Sequence, residues 1–406
     1  MLPRRQHELP PTAGLSLQWS DLRARTPTLA ADIAAQLDTP PLQLECSGSA
    51  ALVIALTALR EEQPRRTHVV VPAFTCPLVA IAVRQAGLEL QLCDLRRGHY
   101  DMDPTALRAR SDERTLAIIP THLAGRVADV DDALAVANNV GAYVIEDAAQ
   151  ALGARSDGIS VGLAGDMGFF SLAAGKGLSI YEGGLLLARD PEWRARCASI
   201  AARIAPRHAG REARRQIQLL GYAALYQPAG LRWAYGIPLR RALRRGDPVA
   251  AVGDDFPPTI PLHKVGRWRQ AVGAQAATRL PAFLHQLDAL ARRRLTRLRR
   301  IKGVCVMDDP PGAHGTWPFF LLLLPDQQRR DAALDQLWAS GHGVSRLFIH
   351  ALPDYPKFGD IVPMQAAPNA RDFAERSLTV SNSPWMTDAD FKTICDVLEA
   401  AARRLQ

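Results

Sequence analysis

Short apolar runs separated by helical patterns set the rhythm of this chain. Residues 67–72, 88–94, 115–120, 142–145 and 168–172 are rich in Val, Ile, Leu or Phe and are bounded by Gly, Pro or Asp. Runs of this length between turn residues read as buried parallel strands. Helical patterns lie between most of them, such as 78–87 ahead of 88–94. That alternation predicts βαβ units, a mainly parallel sheet and right-handed crossovers. Residues 42–45 lead through Ser47, Gly48, Ser49 and Ala50 into an alanine-rich helix. Residues 304–307 and 317–324 read as strands of a smaller α+β domain, with helices at 331–340 and 388–405. Helical patterns also cover 21–37 and 262–298. The expected organisation is an N-terminal arm over 1–40 and a large domain over 41–260, with an insertion at about 190–255. A linking helix over 261–300 and a small C-terminal domain over 301–406 complete it.

The fold class is therefore α/β, and 406 residues suffice for two domains and a large core. The longest apolar run, 319–324, is strand-sized and far below the roughly 18 residues of a membrane span. Two N-terminal arginines are followed by no apolar segment, so no secretory signal is expected. Six cysteines are scattered without CxxC or metal-ligand spacing. They read as reduced thiols of a cytoplasmic protein with no metal site. A net charge of +8 suits an acidic ligand, a nucleic acid or an anionic membrane. No nucleic-acid motif is present, so no such partner is expected. The charge is uneven: between residues 201 and 250 ten arginines face only Glu212 and Asp247, and a second basic cluster spans 289–303.

Candidate chemistry concentrates in residues 141–184, GAYVIEDAAQALGARSDGISVGLAGDMGFFSLAAGKGLSIYEGG. One apolar run stops at Glu146 and Asp147. The next is followed by Lys176 among small residues. Acid and base then sit just past strand C-termini, where open α/β sheets build ligand sites. Singly, Lys176 reads as a loop lysine in water, Asp147 as a helix cap, and Ser47 or Ser49 as an N-cap. Together they are the parts of a pyridoxal phosphate (PLP) site. Such a site needs a lysine for the aldehyde and an acid for the pyridinium nitrogen. It also needs hydroxyls and helix-start amides for the phosphate.

In that order along the chain, CSGSAALVIAL, VVVPAFTCPLVAIAV, IIPTHLAGRVADVDD, IEDAAQALGA, GDMGFFSLAAGKGL and EGG resemble the motifs of the DegT/DnrJ/EryC1/StrS family. The resemblance covers residues 44–190 well and the remainder weakly. It implies a fold-type I PLP-dependent transferase, specifically an aminotransferase moving an amino group from glutamate to a nucleotide-linked keto-sugar for glycan synthesis. It also implies a homodimer with the site at its interface. By the same resemblance Lys176 is the catalytic residue, Asp147 pairs with the ring nitrogen and Gln150 contacts the ring's phenolic oxygen. Ser49, Ser171 and the amides of Gly48 and Ala50 hold the phosphate. His122, Arg346 and His350 line the substrate side. The chain departs from the family's pattern at three places. Cys76 stands where relatives stack an aromatic ring on the cofactor. Gly175 stands where they often carry Thr. Leu262, His263 and Lys264 replace an Asn-Tyr-Arg that reaches the neighbouring subunit's phosphate, so His263 or Lys264 would take that contact over.

Two other functions compete. Sugar dehydratases dependent on PLP or its amine form replace the lysine by histidine, and Lys176 argues against them. A non-catalytic regulatory protein that kept the fold is the other. The arginine-rich region interleaves Tyr222, Tyr226, Trp233 and Tyr235 with its charges. That composition suits weak contact with an anionic membrane, steering of a nucleotide sugar, or a solvated face.

Overall fold

The computed structural model describes residues 7–403. The first strands are β1 (Gln43–Glu45), β2 (His68–Pro72), β3 (Glu89–Cys93), β4 (Thr115–Ile118) and β5 (Tyr143–Asp147). The small pair β6 (Arg155–Ser156) and β7 (Ile159–Ser160) precedes β8 (Met167–Ser171) and β9 (Gly184–Ala188). Seven of these make one sheet in the order β1-β9-β8-β5-β4-β2-β3. From β3 to β8 along that order all pairings are parallel, and β9 and β1 close the other edge antiparallel. Alternation of side chains along each strand serves two cores. Val69 and Val71 join the larger one, beneath the helices Gly48–Glu62 and Pro77–Gln85. Val70, Ile118 and Val144 join a smaller one under Pro104–Arg110 and Asp131–Val140.

The C-terminal strands are β10 (Cys305–Val306), β11 (Ala313–His314), β12 (Phe319–Leu323), β13 (Val344–Ser345) and β14 (Ser377–Ser381). Four form an antiparallel sheet, β10-β12-β14-β13, and β11 crosses to pair with β6. Phe320, Leu334 and Leu398 pack that sheet against the helices Gln327–Leu337 and Asp388–Arg403.

Three predicted helices have different bounds. Residues 21–37 divide into a short turn, Asp21–Arg23, and a helix, Leu29–Leu37. Pro27 disfavours helix at the residue before it. Residues 262–298 hold two helices, Arg267–Ala277 and Leu280–Leu298, the second with Pro281 in its first turn, where proline is tolerated. The helix expected at 331 starts at Gln327, because Asp326 caps it by accepting the Arg329 amide at 2.8 Å.

The arginine-rich region is helical, and its longest helix is Ala209–Leu225. That helix lies over the turn between β8 and β9. Buried Arg269 donates to both Glu212 carboxylate oxygens at 2.8 and 2.7 Å, and Arg215 pairs with Glu182. Residues 8–15 thread between this region, the turn and the C-terminal sheet. Their amides donate to Pro228, Gly341, Pro318 and Gly177.

Candidate active site

Two adjoining cavities meet at Lys176. One, of about 360 Å³, lies beyond the C-terminal ends of β5 and β8 and takes in Gly48, Ser49, Cys76, Asp147, Gln150, Ser171, Lys176 and Arg346. The parallel sheet places them there. β5 ends at Asp147 and β8 at Ser171, so both side chains emerge at one edge.

Lys176 sits in a tight turn whose amide donates to Ala173 at 3.2 Å, after Gly175 at φ +80°. A Thr at 175 would be strained there, which accounts for one departure from the family pattern. Burial pushes the Lys176 amine below its ordinary pKa, against the opposing pull of Cys76 and Asp147. Asp147 is buried. Burial raises its pKa, against the Ala149 amide, which donates to it at 3.0 Å, and against Lys176 and His122. No helix follows Asp147, so it is not a helix cap.

The phosphate end is more selective than expected. Ser47 is the N-cap of Gly48–Glu62, and its Oγ accepts the Ala50 amide at 3.0 Å. Ala50 is thereby removed from the candidates. Gly48 and Ser49 keep amides with no carbonyl a turn behind them, at the positive end of the helix dipole. Gly184 lets the helix start approach β9, since a Cβ there would sit 2.3 Å from the Ser47 carbonyl carbon.

Gln150 accepts the Ala124 amide on Oε1 at 2.8 Å, which leaves its Nε2 donor for the cavity it lines. Cys76 is half-buried, and its thiol is pushed up to about 12 by burial. Phe169, Phe256 and Phe319 line the same cavity, whereas Phe74 is core, packed edge-on against Phe348 and Phe373.

His122 does not line either cavity. Its Nδ1 accepts the Ala128 amide at 3.0 Å, so Nε2 carries the proton and donates to Glu146 at 2.8 Å. Both nitrogens are spent on structure, and the role drawn from resemblance does not hold. Glu146 also accepts the Gly162 and Gly165 amides at 2.7 and 2.8 Å. His350 likewise lines neither cavity and packs edge-on against Tyr355. Arg346 does line the smaller one. It donates to the Ile349 and Ala374 carbonyls at 2.8 Å, and its Nε is buried without a hydrogen-bond partner among the described residues. His263 is fully buried with neither ring nitrogen hydrogen-bonded among the described residues, and burial and Arg269 lower its pKa to about 4. Of the two substitutes for the family's asparagine, only Lys264 is exposed.

Sequence reasoning missed Asp254. It is buried at the cavity wall, accepts the Tyr355 hydroxyl at 2.6 Å and the Ile349 amide at 3.2 Å, and closes the arginine-rich region onto the C-terminal part. A carboxylate just after Gly253, where the basic run ends, was the available signal. The arm residues Pro11 and Thr12, which line both cavities, carried none.

The architecture is that of the fold-type I PLP-dependent transferases. The model of the DegT/DnrJ/EryC1/StrS aminotransferase family matches residues 29–224 of this chain. The chain is 40% identical over 145 residues to MosB of Rhizobium meliloti, a stretch covering 36% of this chain and 28% of MosB. It is 40% identical over 147 residues to a UDP-N-acetyl-3-dehydro-alpha-D-glucosamine 3-aminotransferase of Acidithiobacillus ferrooxidans, covering 36% of this chain and 39% of that protein. These matches span well under half the length of those relatives. Over 379 residues it is 26% identical to the dTDP-3-amino-3,4,6-trideoxy-alpha-D-glucose transaminase of Streptomyces venezuelae, covering 92% of this chain and 86% of that one. The structure of DesI solved with its TDP-sugar product matches with a TM-score of 0.74 at 20% identity, covering 99% of this chain and 95% of that one.

Proposed function

We propose that this protein is a PLP-dependent aminotransferase that moves an amino group from glutamate to a nucleotide-linked keto-sugar in the cytoplasm. The observation that carries the reading is the pairing of Lys176 and Asp147 on one cavity, each shifted toward its neutral form by burial. A buried acid with a single backbone donor fits a cationic ring N–H, whose charge would restore its ionised form. Gly48, Ser49 and Ser171 fit the phosphate. Phe169, Phe256 and Phe319 provide apolar walls in place of the stacking aromatic that Cys76 replaces. PLP bound there supplies an electron-accepting ring that makes the hydrogen on an amino-bearing carbon removable. The neutral Lys176 amine would then take that proton and return it, as general base and acid in turn. Both half-reactions share this site, which predicts ping-pong kinetics. The reading includes a homodimer, with exposed Lys264 as the residue available to a neighbouring subunit, and weak peripheral contact with anionic membrane.

The first test is Lys176→Ala. The purified wild type should show a visible cofactor band that shifts when glutamate is added and should aminate a member of a panel of nucleotide keto-sugars. Lys176→Ala should lose turnover and keep the wild-type circular dichroism spectrum. Normal transamination by that variant ends the lysine assignment, and a wild type that retains no visible band after loading with PLP and removal of the excess ends the reading.

A further inference from the structure

The second cavity, of about 580 Å³, opens on the other side of Lys176, so the lysine turn stands between two spaces. Near its base the turn is held by its own backbone, the Leu172 amide on Gly183 at 2.7 Å and the Ala174 amide on Tyr181 at 2.9 Å. Arg269 holds its returning leg at the Ile180 and Glu182 carbonyls. The tip is different. A Cβ built on Gly175 or on Gly177 meets nothing within 4 Å, so the residues beside Lys176 are surrounded by space. A lysine that must reach one atom and move one proton has to be held to within about half an ångström. At the tip that hold comes from outside the turn.

Its source is the N-terminal segment. The Leu15 amide donates to the Gly177 carbonyl at 2.9 Å, and the Ala13 amide to the Pro318 carbonyl at 2.9 Å. Between them Gly14 runs against the turn. A Cβ on it would sit 2.8 Å from the Lys176 carbonyl oxygen and 2.9 Å from the Tyr226 hydroxyl. Gly14 is outside the left-handed region, so close approach, and not backbone conformation, is what demands a glycine there. The Tyr226 hydroxyl donates to the Thr12 carbonyl at 3.0 Å and faces the Gly14 backbone. Its ring stacks on Tyr222 with centroids 4.6 Å apart. The Tyr222 hydroxyl in turn faces the Gly175 backbone, Ser179 and the Tyr226 hydroxyl. The two buried tyrosines thus touch the N-terminal segment at one end and the lysine turn at the other.

We propose that Gly14 and Tyr226 are positioning residues for Lys176: the N-terminal segment clamps the tip of the lysine turn, and the tyrosine pair locks the clamp. The proposal rests on the transaminase reading and deepens it. Both residues act through the turn, not on a reacting atom.

The test follows the visible cofactor band of the PLP-loaded protein as a function of pH. The nitrogen that Lys176 contributes is the titrating group. Burial holds it low, so a turn that loosens and admits water raises the midpoint. Gly14→Ala sets a methyl against the Lys176 carbonyl, a backbone atom that cannot rotate away. It should raise the midpoint by about half a unit or more. It should also slow the band change on adding glutamate about tenfold, with the half-saturating glutamate concentration altered less than about threefold. Tyr226→Phe keeps the ring stack and loses only the lock, so it should move the midpoint the same way by less. That variant decides the question if Gly14→Ala does not fold. A purely structural role would lower the melting temperature and leave the midpoint in place. A midpoint unmoved or lowered in the folded variant therefore overturns the clamp, whatever happens to stability or rate. Absence of the band from the wild type ends the transaminase reading and the clamp with it, whereas a band with an unmoved midpoint ends the clamp alone.

Discussion

Asp147 and Glu146 are adjacent, both buried, and opposite in behaviour. Burial raises Asp147, which has one backbone donor and the nearby Lys176. Burial acts the same way on Glu146, but His122 and the amides of Gly165 and Gly162 overcome it and hold its pKa below the ordinary range. The first is a carboxylate short of partners, the second a satisfied one. Asp147→Asn should therefore fold normally and lower the transamination rate about a hundredfold or more, since an amide cannot keep a ring nitrogen protonated. Near-wild-type rates at full cofactor loading would show that Asp147 serves another purpose. Glu146 has a structural signature instead. Its folded pKa lies below its unfolded value, so its contribution to stability is present above the unfolded value, near 4.3, and is lost as pH falls through the lowered one. Glu146→Gln should cost about 3 kcal/mol at neutral pH, and that gap should narrow below about pH 4. Urea unfolding at both pH values checks the sign; a gap that widens in acid contradicts it. That Lys176, Asp147 and Ser171 come together on one cavity was legible because they stand at or just past the ends of apolar runs, and strand ends are visible in one dimension. The structural roles of His122 and Ala50 could not, since they depend on hydrogen bonds to Glu146, Ala128 and Ser47 that periodicity does not encode.

At the scale of elements, the parallel sheet was legible because strands buried on both faces leave continuous apolar runs. The arginine-rich region was not. Its arrangement depends on pairs far apart in the chain, such as Arg269 with Glu212 and Arg240 with Glu8. Arg269 is fully buried, and its guanidinium ties the helix Ala209–Leu225 to the backbone of Ile180 and Glu182 in the lysine turn. Arg269→Met should cost about 3–5 kcal/mol by chemical denaturation, because Glu212 and two carbonyls lose their donor together. The variant should also bind PLP less tightly, because the turn carrying Lys176 loses its brace. Unchanged stability would mean that the helix is held by its apolar contacts alone. The second basic cluster has a plainer explanation. Arg292, Arg293, Arg297 and Arg299 pair with carboxylates, and buried Arg294 donates to Asn382, Ser383 and Met386.

Over the whole molecule, the charge of +8 gathers where apolar side chains are also exposed. The aromatic residues interleaved with the arginines do not all face out: Tyr222 and Tyr226 are buried and Tyr235 lines both cavities. Trp233, 68% exposed, keeps the outward position. On the outer side of the helix Ala209–Leu225, Ile217 is 70% exposed, and Leu220 is exposed beside it. Arg211, Arg214, Arg241, Arg244 and Arg245 are exposed on the same region. No helix among the described residues is long and apolar enough to cross a membrane. A basic rim around a few exposed apolar residues instead suits shallow attachment to an anionic surface, with each cation near it worth about 1 kcal/mol. The protein should float with phosphatidylglycerol-rich liposomes in low salt, stay behind with neutral ones, and be released as salt shortens the Debye length. The two halves of the surface separate by mutation. Arg241→Ser, Arg244→Ser and Arg245→Ser together should abolish the preference for anionic lipid, and Ile217→Ser with Trp233→Ser should weaken binding in low salt without changing the salt at which release occurs. Arg240 is excluded from the first set because its pairing with Glu8 anchors the N-terminal segment. If the wild type remains in the soluble fraction with anionic liposomes in low salt, the attachment fails and the arginines are a solvated face.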